Sequence, residues 1–250
     1  MKAMVLAAGL GTRLRPLTSD RPKALVEIGR RTLLEITLSR LREFGVREAI
    51  INVHHYADMV VDYVKAAGNF GMHIEFSREE ILLDTGGGLK QAAWFFTEKS
   101  GSADTPFILH NVDVISTIDL QRMVQFHTEK HALATLAVQE RKTSRYLLFD
   151  EQLQLCGRPV SGDKTELVRP APPARELAFT GIHVISTRIF PLLTEEGVFS
   201  IIPAYLRLAA QGEKILAFRA DEYDWRDLGK LENVRQAEQA MKAKLAGKSE

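Results

Sequence analysis

Short, predominantly apolar runs punctuate the chain at residues 4–8, 49–53, 72–76, 107–110 and 133–138. Runs of this length fit strands with most of their side chains covered. Between them the apolar spacing lengthens to that of a helix, over 33–44 with Leu34, Leu38 and Leu41 on one stripe, and over 58–67, 89–96 and 119–131. Asp119 stands where it would cap the last of these. The alternation predicts successive βαβ units and an α/β fold with a mostly parallel sheet through about residue 140. Past Arg141 the rhythm changes. Short strand-like pieces at 146–149, 153–156, 166–168 and 179–184 predict an antiparallel excursion, with the proline-rich stretch 170–173 as a connecting loop and helices at 200–211 and 231–245. No repeat, low-complexity tract or long linker divides the chain, so a single domain is expected.

In an open α/β sheet, ligands bind beyond the carboxyl ends of the strands, so the residues that follow each strand carry most weight. The first strand runs into LAAGLGTRLRPLT and then PKALVEIG. Gly9 and Gly11 let backbone N–H groups approach an anion, while Thr12, Arg13 and Lys23 add a hydroxyl and two positive charges. Neither the GK[ST] ending of a Walker loop nor the third glycine of a dinucleotide loop is present. The whole chain of 250 residues has 33 Lys+Arg against 32 Asp+Glu, a formal net charge of +1. With no global field to draw in nucleic acid or an anionic membrane, an anion site must be local. The N-terminus lacks a signal-peptide pattern and a bilayer-length apolar run, and the single cysteine, Cys156, fits a reducing compartment, so a cytoplasmic protein is expected.

Asp113 follows the buried run 107–110 between Val112 and Val114, where a lone carboxylate would be costly. A divalent cation, a nearby base or a turn would each answer that cost. Either Asp224 or Asp227, in YDWRDLG, could supply a second carboxylate, and Gly229 marks a turn beside them. Gly86, Gly87 and Gly88 ahead of a helical pattern permit a close approach to a flat ring or an anion. His54 and His55 lack a third ligand at metal spacing, and a loop role fits them better. Trp94, Phe95 and Phe96 read as core, Cys156 as a small buried residue, and Lys242, Lys244 and Lys248 as a solvated face. No GxSxG elbow or Cys–His setting suggests a covalent nucleophile.

Taken together in this order, LAAGLGTRLRPLT with PKALVEIG, DTGGG, NVD, FTGI and WRDLG resemble the sugar-1-phosphate nucleotidyltransferases over nearly the whole chain. The short length, the TGGG variant and the compact C-terminal region look most like the N-acetylmuramate-1-phosphate uridylyltransferases of cell-wall recycling. The resemblance implies a Rossmann-like mixed sheet, the nucleotide-diphospho-sugar transferase fold. It implies a nucleotide-binding half over 1–140, a small antiparallel sugar-binding half over 141–229, and a C-terminal helix and tail over 230–250.

It further implies that Ala8, Gly9, Gly11 and Thr12 line the nucleoside triphosphate. Arg13 would grip the β- and γ-phosphates, Lys23 would face the α-phosphate, and Gly86 and Gly87 would contact the base. Asp113 and Asp227 would hold Mg²⁺, while Asn111 and Gly181 would approach the sugar phosphate. Val168-Arg169-Pro170 stands where many members carry Glu-Lys-Pro, so Arg169 is the expected stand-in for their sugar-phosphate lysine. The implied reaction joins an NTP, UTP first, to a sugar 1-phosphate, in a monomer or small homo-oligomer without nucleic-acid or membrane partners. Guanylyl transfer to mannose 1-phosphate, cytidylyl transfer to phosphocholine and a turnover-deficient nucleotide-sugar sensor are the alternatives.

Overall fold

The computed structural model describes residues 1–98, 104–160, 164–170 and 174–246, with side chains as far as residue 239. The loop expected over 170–173 therefore lies outside the described residues from 171 on, as does Lys248, and the side chains of Lys242 and Lys244 are likewise outside them. The first half comprises β1 (Lys2–Leu6), the short hairpin β2 (Glu27–Ile28) and β3 (Arg31–Thr32), α1 (Leu33–Glu43), β4 (Glu48–Val53), α2 (Ala57–Ala66) and β5 (His73–Arg78). It continues through α3 (Asp84–Gln91), α4 (Ala93–Thr97), β6 (Pro106–Asn111), β7 (Val114–Ser116), α5 (Leu120–Lys130) and β8 (Ala134–Gln139). The second half adds β9 (Tyr146–Phe149), β10 (Leu155–Val160), β11 (Lys164–Leu167), β12 (Arg175–Ser186), α6 (Ile201–Ala210), β13 (Ile215–Arg219), β14 (Trp225–Asp227) and α7 (Leu231–Ala246).

The main sheet runs β11-β10-β9-β12-β6-β1-β4-β5, with the β6-β1-β4-β5 pairs parallel and β12 antiparallel to β6 and β9. β8 pairs antiparallel with β12 and parallel with β13. Alternate residues of β1 feed opposite faces: Ala3 and Val5 join the core under α1, α2 and α5, while Met4 and Leu6 join the core under α3, α4 and α6. Such a two-sided burial explains the unbroken apolar character of the N-terminal run. The caps follow local chemistry, since Thr32 accepts from the Glu35 N–H at the start of α1 and Asp119 from the Arg122 N–H at the start of α5.

Three features depart from the pattern. The helix expected over 89–96 begins at Asp84 and is broken at Ala92 into α3 and α4, which places the glycine triplet inside a helix. Trp94 is 40% exposed, so only Phe95 and Phe96 of that cluster are core. The ribbon of β7 and β14, with Asp227 opposite Val114, has no apolar run long enough to announce it; it forms because two distant segments meet. Among the described residues no helix is long and apolar enough to cross a membrane.

Candidate active site

The turn after β1 is shaped by a lysine passing beneath it. A Cβ on Gly11, whose φ is +64°, would lie 3.1 Å from the Lys23 Cβ, and one on Gly9 would lie 3.4 Å from the Lys23 Nζ. The glycines thus let the lysine stem run under the loop, besides freeing N–H groups for an anion. The Thr18 hydroxyl donates to the Gly11 carbonyl at 2.8 Å and the Leu14 N–H to the same oxygen at 2.9 Å, which fixes the loop over buried Leu14. Arg13 projects from that short turn and is exposed.

Asp113 occupies the tight turn between β6 and β7 and is buried. Its carboxylate meets the Lys23 Nζ at 3.0 Å, the base that a buried acid there requires. Asp227 ends β14, accepts from the Gly229 N–H at 2.8 Å through Oδ1, and has its carbonyl held by the Asn233 side chain. These groups converge on Gly229. A Cβ there would lie 2.7 Å from the Asp113 Oδ2, 2.9 Å from the Asp227 Oδ1 and 3.1 Å from the Arg13 Nη2. Asp224, the alternative carboxylate, is exposed and does not line the cleft.

The cleft has two lobes. A cavity of about 300 Å³ is lined by Gly9, Gly11, Thr12, Arg13, Lys23, Asp113 and Gly229, with Leu10 and Leu82 completing its wall. Ala8 is buried just behind it. A larger cavity of about 930 Å³ shares Arg13 and Asp113 and extends past Asn111, Gly181 and Asp227 to Arg141 and Trp225. Gly181, at φ +84°, sits within the register shift of β12, where a Cβ would come within 2.7 Å of the Asn111 Nδ2. The bulge brings the strand against that side chain.

Three expected ligands lie outside both lobes. Gly86 and Gly87 do not line either lobe. Their N–H groups donate to the Phe199 carbonyl at 2.9 and 3.2 Å, and added Cβ atoms would strike the Phe199 ring at 2.3 Å and the Gly197 carbonyl at 2.5 Å. Close packing of the 197–199 segment on α3 accounts for both glycines. Arg169 is also outside the cleft, and its Nη1 donates to the Gln154 side chain at 2.7 Å. The sequence pattern missed Arg141, whose guanidinium lies 3.8 Å from the centroid of the Trp225 ring. It also missed a buried polar chain beneath the loop. There Asn52 accepts from the Ala7 N–H and donates to Glu79, which in turn accepts from the Leu83 N–H. Glu79, just past the end of β5, gave no signal because its side-chain partner Asn52 lies on β4, far off in sequence.

His183 lines the larger lobe, and buried His110 precedes Asn111 on its wall. Burial holds His110 down at about 4 and His183 at about 3, the latter also beside His110, so both are neutral at pH 7. The His54 Nδ1 lies 2.9 Å from the Glu79 carbonyl. Among the described residues no group of three or more His, Cys, Asp or Glu gathers in a form that could hold a metal. Asp113 and Asp227 nevertheless offer paired hard oxygens to one point, a donor set that suits magnesium, which takes one or two protein carboxylates and completes its shell with phosphate and water.

A mixed sheet with a glycine-turned, cation-bearing loop after its first strand, and two carboxylates beside it, is an arrangement of the nucleotide-handling kind. The nucleotidyl transferase family model matches residues 2–244, and the chain belongs to that family. It is 34% identical to the N-acetylmuramate alpha-1-phosphate uridylyltransferase of Caulobacter vibrioides over 98% of this chain and 96% of that protein. It is 28% identical to a mannose-1-phosphate guanyltransferase of Yarrowia lipolytica over 92% of this chain, though it spans only 61% of that protein. The fold matches that of UDP-glucose pyrophosphorylase from Acinetobacter baumanii with a TM-score of 0.77, at 19% identity, over 94% of this chain and 91% of that one.

Proposed function

We propose that the protein transfers a nucleoside monophosphate from an NTP, UTP first, to a sugar 1-phosphate, N-acetylmuramate 1-phosphate first, and releases pyrophosphate. The observation that carries this reading is the meeting of Arg13, Asp113 and Asp227 at Gly229, with Lys23 on Asp113. A sugar-phosphate oxygen attacks the α-phosphorus in line, the new P–O bond forms, and the bond to the pyrophosphate oxygen breaks. The nucleophile is already an anion, so no general base is needed, which suits a cleft whose histidines are buried and neutral.

Gly9, Gly11 and Thr12 wrap the triphosphate in the smaller lobe, Arg13 offsets charge on the departing β- and γ-phosphates, and Lys23 faces the α-phosphate. Magnesium held by Asp113 and Asp227 would supply further neutralisation of phosphate oxygens. The sugar phosphate enters along Asn111 and Gly181 in the larger lobe. With Gly86 and Gly87 committed to packing, the base lies against Leu82 and the neighbouring Asp84 and Thr85. The nucleotide side is then drawn mainly from residues 1–140 and the sugar side mainly from 141–229. The lone buried Cys156 fits work in the reducing cytoplasm.

Incubating the protein with MgCl₂, each of the four NTPs in turn and a panel of sugar 1-phosphates, with pyrophosphate as readout, tests the reading. Release is expected with UTP and N-acetylmuramate 1-phosphate. A preference for GTP with mannose 1-phosphate would move the protein to its guanylyl relatives. Silence with every pair would end the proposal.

A further inference from the structure

The larger lobe holds a cation that the reaction centre leaves unexplained. Arg141 lies just past the end of β8, with its guanidinium stacked 3.8 Å from the Trp225 ring centroid and its Nη2 donating to the Phe179 carbonyl at 2.8 Å. The indole is itself fixed, since its Nε1 donates to the Thr180 carbonyl at 2.8 Å and its backbone pairs with Ser116. The Arg141 Nε is buried without a partner. Among the described residues Nη1 makes no hydrogen bond, and the side chain forms no ion pair within the cleft. By contrast, Arg158, which lines the same lobe, is already bound to Glu166 at 2.7 Å. Burial disfavours the Arg141 charge, and Asp227 and Tyr146 offset this from a distance. A half-buried guanidinium held flat, with donors to spare and no paired acid, is set to receive an anion.

We propose that Arg141, laid on Trp225, binds an oxyanion of the sugar substrate in the larger lobe, the role that the family resemblance implied for Arg169. This rests on the proposed sugar-phosphate chemistry. The oxyanion has two possible sources, the 1-phosphate itself or a carboxylate carried on the sugar.

The test compares the wild type with Arg141→Ala and Arg141→Lys. Binding is read first as the thermal shift that N-acetylmuramate 1-phosphate or glucose 1-phosphate produces without UTP, then as KM in the full reaction with MgCl₂. Arg141→Ala is expected to weaken sugar-phosphate binding and raise its KM about tenfold or more, leaving the KM for UTP within about twofold; Arg141→Lys recovers only part. Equal losses with both sugars assign the oxyanion to the phosphate, and a loss confined to the muramate sugar assigns it to the carboxylate. Unchanged sugar-phosphate binding overturns the proposal. So does an equal rise in both KM values with a lower melting temperature, the mark of a structural role. If the wild type releases no pyrophosphate yet its thermal shift depends on Arg141, the transfer reaction falls and this binding site stands.

Discussion

Asp113 and Gly229 carry the sharpest consequences at the scale of single residues. Asp113→Asn keeps the shape of the turn and removes the charge that Lys23 now meets at 3.0 Å. Turnover is expected to fall by about 10²-fold or more while the fold persists, as read by pyrophosphate release and circular dichroism. Gly229→Ala would place a methyl group within 2.7 Å of the Asp113 carboxylate and 2.9 Å of the Asp227 carboxylate. It should cut turnover by about tenfold or more with little change in melting temperature; wild-type rates would mean that the carboxylates need not converge there. Arg13 and Asp113 could be singled out because each follows a recognisable strand end within a few residues, and Lys23 because it stands behind a proline in the same N-terminal motif. Arg169 was singled out because its neighbours in sequence imitate a lysine motif, whereas its guanidinium is bound to Gln154 outside the cleft. Arg141 gave no signal, since the indole that holds it is far along the chain.

At the scale of elements, α3 owes its glycines to packing. Gly86→Ala would set a methyl group 2.3 Å from the Phe199 ring and force the 197–199 segment away. A loss of about 1–3 kcal/mol in stability is expected by denaturant unfolding, and a neutral result would contradict the close packing. The parallel strands, α1 and α5 were readable because apolar period and caps agree. The boundary of α3 was not, because three consecutive glycines look like a loop until their buried neighbours are known. β7 and β14 were hidden for a related reason: a three-residue ribbon has no period, and its pairing is wholly tertiary. That ribbon nonetheless brings Asp227 opposite Val114, one residue from Asp113.

For the molecule as a whole, acid should act through buried histidines. His110 and His127 are held at about 4 and His183 at about 3, in each case chiefly by burial, against an ordinary value of 6.5. Each is neutral when folded and takes up a proton on unfolding within that window, so stability is full above about pH 6.5 and falls as pH drops towards the folded values. The slope is on the order of 1 kcal/mol per pH unit for each group. His127→Gln should flatten the fall in melting temperature between pH 7 and pH 5; an unaltered profile would count against a neutral, buried His127. The near balance of 33 basic and 32 acidic side chains leaves anion binding to the cleft alone, so salt should weaken substrate binding without promoting any affinity for nucleic acid.

Most direct is a titration of Mn²⁺ into the protein with UTP present, followed by electron spin resonance, in the wild type, Asp113→Asn, Asp227→Asn and the double variant. One tight ion per chain is expected in the wild type. Either single replacement should weaken it about tenfold or more, and the double replacement little further, because both carboxylates serve one ion. Wild-type affinity in either single variant would contradict a shared centre at Gly229.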